Sequence, residues 1–383
     1  MITGQKQTLA NPSVIVSANS LWNIANFRSG LIKAIAAEGF RPVIAAPFEP
    51  GKALPLSQEA ELVPLGMDRS GINPFADGSL VARYLNLFRT LRPSAYLSFT
   101  IKPNIYGAFA AGLAGIPAIP NVSGLGTAFL QGGALGRLVD MLYRLAFAKC
   151  RVVFFQNPDD RALFIDRRIV SESQARLLAG SGVDLTKFTP ARPPGIRPPT
   201  FLFIGRLLTD KGVREFVEAA QGTKARFPGA RFQLLGGLDP GNRSAIGKDE
   251  LDRWVAEHAI EYLGPTHDVR PHIAEASAVV LPSYREGLPR SLLEGGAMAR
   301  PLIATDVPGC REIVKDGVTG LLCEVRSASS LAGAMARFIE MGVDQRQALG
   351  DAARAKVVSE YDERAVIDAY LEVLKPLRRS REP

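Results

Sequence analysis

Histidine and cysteine are scarce in this chain, with three of each among 383 residues. Cys150, Cys310 and Cys323 are odd in number and widely spaced, with no Cys-x-x-Cys pair. That argues against a disulfide framework or a zinc knuckle and fits a reducing compartment. His258, His267 and His272 all fall in the second half and lack metal-ligand spacing. No Asp-x-Asp triplet occurs, so a metal–diphosphate site of that type is not indicated. Walker A and Gly-x-Ser-x-Gly runs are also missing. Long apolar runs are lacking too. The span from Pro103 to Gly136 holds no charged residue, but Pro103, Pro117, Pro120 and several glycines interrupt it. No unbroken stretch approaches the roughly 20 residues that a bilayer requires. Residues 1–13 are polar and do not read as a secretory signal.

What is present points to a folded protein. Apolar residues make up 46% and charged residues 22%, and the length suits two domains of ordinary size. The net charge of +8 is unevenly placed: residues 1–197 carry 21 Lys+Arg against 12 Asp+Glu, and residues 198–383 carry 25 against 26. A basic first half suits anionic lipid, nucleic acid or a phosphorylated substrate. The plainer reading is surface arginine from a genome rich in G and C.

The segment 189–200, TPARPPGIRPPT, has five prolines in twelve residues and reads as a stiff connector. On both sides of it short apolar strands alternate with helical patterns. PSVIVSA, RPVIAAP and AYLSF read as strands before it, and TFLFIG, RFQLLGG and VVLPS after it. Alternation of this kind predicts α/β architecture, with parallel sheets covered by helices. The expected domains are 1–188 and 200–361, joined by a linker at 189–199. A last helix, 362–383, is expected to pack back on the first domain.

Four motifs carry chemistry. In FIGRLLTDKGVREF a strand ends at Gly205, and Arg206 and Lys211 offer two positive charges where strand ends and helix starts meet anions. In LPSYREGLPRSLLEGG, Glu286 sits in a loop, Pro289 suits a first helical position, and Glu294 lies about one and a half turns into the helix. A diphosphate would fit at that helix start, a ribose by Glu294 and a sugar hydroxyl set by Glu286. The loop NVSGLGTAFL, with Gly124 and Gly126, is either a ligand-facing loop or a plain tight turn. In SFTIKPNIYG, Lys102 and Asn104 follow a strand and precede a helix, so both are expected on the ligand side. Lys102 reads equally as a phosphate or sugar ligand and as a solvated lysine at a helix start. His267, in GPTHDV, is a candidate for the nucleotide pocket or a surface residue.

Taken together, SGVDLTKF, GR…KG at 205–212, GP…DV at 264–269, Glu-x7-Glu at 286–294 and PLIATDVPGCREIVKDGVTGLL resemble the family-4 retaining glycosyltransferases of the GT-B fold. In the first half, SLWNIANFRSGLIKAI, GINPF, TIKPNIYG and GLGTAFL resemble the subgroup that adds N-acetylgalactosamine to undecaprenyl-diphosphate-linked sugars. The resemblance implies two Rossmann-like domains facing a cleft and a UDP-sugar donor used without metal or other cofactor. It makes Arg206 and Lys211 ligands of the donor diphosphate, with Glu294 on the ribose and Glu286 on the sugar. Gly205, Gly287, Leu288 and Pro289 would line the phosphate and sugar, and Gly264, His267 and Val269 would lie near the base. Asn26, Arg28, Lys102, Asn104, Gly124 and Gly126 become acceptor or donor-sugar candidates. The departure is at TIKPN, where many members place a histidine and this chain has Ile101 and Lys102. The implied partners are a lipid-linked saccharide and an anionic membrane, not nucleic acid, with a cytoplasmic, peripheral location on the inner face of the plasma membrane. The alternatives are a nucleotide-sugar epimerase of the same fold and a non-catalytic nucleotide-sugar-binding protein.

Overall fold

The computed structural model describes residues 11–47, 60–68, 73–125, 133–193 and 198–379. Gly126 and the middle of the proline-rich stretch lie outside them. Contacts divide the chain into two compact units. One comprises Met1–Gln156, Asp160–Leu178 and Ile367–Pro383, the other Asn157–Asp159 and Ala179–Val366.

The first unit is built on a sheet of β1 (Ser13–Ser17), β2 (Arg41–Ala46), β3 (Glu61–Pro64), β4 (Ala95–Ser98), β5 (Ala118–Val122), β6 (Val153–Phe155) and β7 (Ala175–Leu177). Their order is β3-β2-β1-β4-β5-β6-β7, and every pairing is parallel. Its helices are α1 (Leu21–Phe27), α2 (Ser29–Ala37), α3 (Pro74–Leu91), α4 (Ala108–Ala114), α5 (Gly133–Phe147) and α6 (Pro158–Asp166). The second unit holds β8 (Thr200–Ile204), β9 (Arg231–Leu235), β10 (Glu261–Gly264), β11 (Ala278–Leu281), β12 (Leu302–Thr305) and β13 (Gly320–Cys323), in the order β10-β9-β8-β11-β12-β13 and again all parallel. With them go α7 (Val213–Arg226), α8 (Lys248–Ala256), α9 (Arg270–Glu275), α10 (Arg290–Ala297), α11 (Ala328–Glu340), α12 (Val343–Glu360) and the start of α13 (Glu363–Arg379).

Strands such as SVIVS and TFLFI are buried at every position, as a sheet covered on both faces requires. Strand order reverses between β1 and β4 and again between β8 and β11. Right-handed crossovers then place successive helices on opposite faces, and a crevice is left beyond the strand ends at each reversal. Ring packing fills both cores. Phe201 stacks on Phe232 at 5.2 Å, and Tyr96 meets Phe88 edge-on at 5.1 Å. On α13, Tyr370 is fully buried 4.9 Å from Phe154, and its hydroxyl accepts from Asn121 Nδ2 at 2.7 Å.

Several elements differ from the sequence reading. The described start of the proline-rich stretch is bound into the second unit, where Arg300 donates to the carbonyls of Ala191 at 3.1 Å and Arg192 at 2.6 Å. The helical pattern of LDRWVAEHAIEY would carry a helix through Tyr262, but α8 stops at Ala256; His258 takes φ 55°, and Glu261 begins β10. The helical pattern of NFRSGLIKAIAAEG reads as one helix, but the chain breaks at Arg28, with φ −135° and ψ 5°, between α1 and α2. Pro289 is the cap before α10, with φ −74° and ψ 120°, rather than its first residue. Proline at 103 opens a widened π turn, Pro103–Gly107, whose first carbonyl accepts the Tyr96 hydroxyl at 3.1 Å.

Candidate active site

The second unit's reversal point lies between β8 and β11, and the loops leaving these two strands carry the candidate residues. After β8 the chain passes Gly205 and Arg206 and makes a tight 3-10 turn, Thr209–Lys211. Gly212 then takes φ 70°, and a Cβ there would overlap the Pro282 carbonyl. Only glycine lets this turn press against the β11 loop. Tyr284 N–H clamps the two loops together by donating to the Asp210 carbonyl at 2.9 Å, and Ser244 Oγ, on the loop after β9, donates to Asp210 Oδ2 at 3.2 Å.

The result is an ion pair between Lys211 Nζ and Glu286 Oε1. The Glu286 side chain is only 10% exposed, and Ser283, itself fully buried, donates its hydroxyl to the same oxygen at 2.6 Å. Main-chain contacts fix the loop that carries Glu286. Its N–H donates to the Pro308 carbonyl at 3.1 Å, and Asn157 Nδ2 donates to the carbonyls of Glu286 at 3.3 Å and Gly287 at 3.0 Å. Gly309, at φ 87°, leaves room for this loop, since a Cβ there would come within 2.6 Å of the Glu286 carbonyl oxygen. Beneath them, burial and then the Glu286 charge push the Cys310 thiol well above its ordinary range, so that it stays protonated.

Helix α10 begins just beyond, and no side chain caps it. Its first-turn N–H groups therefore face outward with the positive end of the helix dipole, an arrangement suited to an anion. Glu294 lies on this helix and accepts from Arg290 Nε at 3.1 Å and Nη2 at 2.9 Å. Arg290 also donates to the Gly182 carbonyl at 2.8 Å, which anchors it to the SGVD turn. Leu288 is buried, and Pro289 sets the direction in which the helix starts.

Arg206 is not part of the Lys211–Glu286 pair. It reaches out to Asp239 at 2.8 Å with its side chain 60% exposed. Such an exposed pair contributes little to stability and leaves the guanidinium available to a ligand. Arg206→Ala is therefore expected to lower kcat/KM by about tenfold, with the melting temperature unchanged. Steady-state kinetics beside a thermal melt check this. On the next loop, Gly264 takes φ 74° and His267 is exposed. Val269 caps α9, and bonds from Arg270 hold the Asp268 carboxyl down at about 2.

In the first unit the candidates fall differently. Asn104, expected on the ligand side, is buried and donates to the Asn121 carbonyl at 2.8 Å. Arg28 is buried with its guanidinium 4.2 Å above the Phe99 ring, and Asn26 is exposed and donates to the Trp22 carbonyl at 2.9 Å. Gly124 has φ 150° with open space beside it, and Gly126 lies outside the described residues. Lys102 pairs with Asp77 at 2.8 Å, and the Tyr106 hydroxyl donates to the same carboxylate at 3.0 Å. Burial and that carboxylate push the Tyr106 phenol up. Lys102 and Asp77 line a pocket of about 400 Å³ together with Pro47, Gly66, Leu80 and Arg83.

The sequence reading missed Ser283, Arg290 and Asn157. Arg290 stands four residues before Glu294, a helical pairing distance visible in the sequence. Asn157 reaches Glu286 from 129 positions away, and no local spacing marks it.

Comparison with known proteins identifies the family. Residues 198–341 match a family model described as "Glycosyl transferases group 1". Residues 24–179 match one described as "Glycosyl transferase 4-like domain". A Campylobacter jejuni relative, N,N'-diacetylbacillosaminyl-diphospho-undecaprenol alpha-1,3-N-acetylgalactosaminyltransferase, is 27% identical over 92% of this chain and 95% of its own. An Escherichia coli relative, UDP-Gal:alpha-D-GlcNAc-diphosphoundecaprenol alpha-1,3-galactosyltransferase, is 28% identical over 67% of this chain and 70% of its own. Among solved structures, sucrose-phosphate synthase from Thermosynechococcus elongatus superposes with a TM-score of 0.78 at 18% identity, covering 96% of this chain and all of its own. An epimerase is not favoured, since these relatives are transferases. Two parallel-sheet units and family-model matches over both halves place the chain in the group 1, family-4-like glycosyltransferases of the GT-B fold.

Proposed function

We propose that the protein moves a hexose or N-acetylhexosamine from a UDP-sugar to a polyprenyl-diphosphate-linked saccharide, with retention of anomeric configuration. The observation that carries this reading is the Lys211–Glu286–Ser283 cluster beside the uncapped start of α10. The names of the two relatives support the acceptor class, and the galactosyltransferase name supports the donor.

The chemistry follows from charge. Cleavage of the anomeric C–O bond leaves negative charge on the UDP diphosphate and positive character on the sugar. Lys211, Arg206 and the start of α10 would stabilise the first, and stabilisation of developing charge usually contributes most to the rate of such reactions. Ser283 and Lys211 hold the Glu286 carboxylate in one orientation, so it would bind a donor-sugar hydroxyl rather than attack. Arg290 fixes Glu294 to receive the ribose. The acceptor hydroxyl would attack from the leaving group's face and pass its proton to the departing phosphate. Transfer would need no resident metal. The acceptor saccharide would use the pocket lined by Lys102, Asp77 and Arg83 in the first unit. The protein would act at the cytoplasmic face of the plasma membrane as a peripheral protein. Among the described residues, no helix is long and apolar enough to cross a membrane.

The test is incubation with labelled UDP-sugars and a polyprenyl-diphosphate saccharide, with and without EDTA. Label is expected in the organic phase at equal rates in both, in a linkage that keeps the donor's α configuration. Failure of every donor to transfer label overturns the reading.

A further inference from the structure

Helix α5 is apolar on two opposite sides. One side, with Gly136, Val139, Tyr143, Ala146 and Phe147, is buried in the first unit. The other side faces solvent, yet it presents Leu138 at 43% exposure, Met141 at 49% and Leu145 at 53%. These three recur at i, i+3 and i+7 and so form one stripe. Just past the helix end, Lys149 donates to the Gly112 carbonyl of the neighbouring α4 at 3.0 Å. Isolated exposed leucines need no explanation, but a contiguous row marks an interaction surface.

The charges around the stripe say what it meets. Turning 100° per residue, Arg137 and Arg144 flank one side of the stripe, and Lys149 follows just past the end of the helix; all three are exposed. Asp140, the acid on this helix, is paired with Arg167 at 3.0 Å. Leucine and methionine at the centre with cations along one margin and at the helix end suits a helix lying in a bilayer interface, apolar face among acyl chains and cations among anionic headgroups. A protein partner or a second copy would call for complementary acids on its own surface, and this helix offers none unpaired among its described residues. We propose that the outer face of α5 docks the protein on an anionic phospholipid membrane. This rests on the lipid-linked acceptor proposed above, whose diphosphate would sit at the headgroup level. Docking would hold the first unit where such an acceptor emerges.

Vesicle co-sedimentation of the full chain tests the proposal, with phosphatidylethanolamine–phosphatidylglycerol and pure phosphatidylcholine vesicles. The wild type is expected to bind the anionic vesicles and to release as salt rises. The triple variant Leu138→Ser, Met141→Ser, Leu145→Ser is expected to bind on the order of a hundredfold more weakly. Arg137→Gln should bind about fivefold more weakly. Because these side chains already face solvent, melting temperatures should not fall. Transfer to a short-chain water-soluble acceptor should be unchanged in the triple variant, and transfer to an acceptor embedded in vesicles should drop. Equal vesicle binding by wild type and triple variant overturns the proposal. So does a wild-type dimer in sedimentation equilibrium that the triple variant abolishes while vesicle binding persists. If no acceptor is glycosylated by either protein but the binding difference holds, the transferase reading fails and the docking surface stands.

Discussion

Replacing Lys211 with alanine is expected to lower kcat/KM by about a thousandfold, the effect of removing one preorganised charge from a developing anion. Two consequences of the geometry add up here. The departing diphosphate loses a cation, and Glu286, with its side chain 10% exposed, loses its ion-pair partner and keeps only the Ser283 hydroxyl. An uncompensated carboxylate beside the phosphates repels the charge that the site must stabilise. Lys211→Arg should restore part of the rate, because charge is kept while the point geometry of the ammonium is lost. Glu286→Gln separates the two roles: it preserves the shape and a bond to Ser283, so it should affect sugar positioning more than UDP affinity. Product-inhibition constants for UDP beside kcat distinguish the two. An unchanged kcat/KM for Lys211→Ala contradicts the assignment.

The second large effect concerns stability. Arg300 is 1% exposed and donates four hydrogen bonds, to the carbonyls of Ile273 at 2.9 Å, Ala274 at 2.8 Å, Ala191 at 3.1 Å and Arg192 at 2.6 Å. The first two belong to the last turn of α9, where the Ile273 carbonyl also accepts from the Ala276 N–H at 3.2 Å. The other two belong to the proline-rich stretch, which cannot supply sheet partners of its own. Burial pulls the guanidinium's pKa below its ordinary value, yet it remains charged. Arg300→Ala removes the donor that these carbonyls share and leaves a cavity in its place, and is expected to cost about 3–5 kcal/mol. Arg300→Met fills most of the volume but makes none of the bonds, so it should recover only a minor part. Urea unfolding followed by Trp254 fluorescence in the second unit reports the shift. A loss under about 1 kcal/mol contradicts the role given to Arg300.

Much of this architecture is legible in the sequence because parallel strands buried on both faces read as uninterrupted apolar runs, as SVIVS and TFLFI do. Strand β3, with the sequence ELVP and mostly exposed, sits at the sheet edge and carries no such run. Three-residue β7 is too short to show a period. The Lys-Gly pair at 211–212 and the glutamates at 286 and 294 stand out by spacing. That Lys211 turns to Glu286 while Arg206 turns to Asp239 depends on how two loops meet, and sequence spacing does not encode that meeting. The sequence also suggested Asn104 as a ligand because it follows a strand end. The widened turn opened by Pro103 instead leads it inward, to the Asn121 carbonyl.

The central claim is that Lys211 and the start of α10 hold the donor's diphosphate. Isothermal titration of UDP against UMP, in wild type and in Lys211→Ala, tests it most directly. The second phosphate should tighten wild-type binding by at least about tenfold, one charge-assisted bond's worth, and most of that advantage should vanish in the variant. A UDP preference that survives intact in Lys211→Ala contradicts the account.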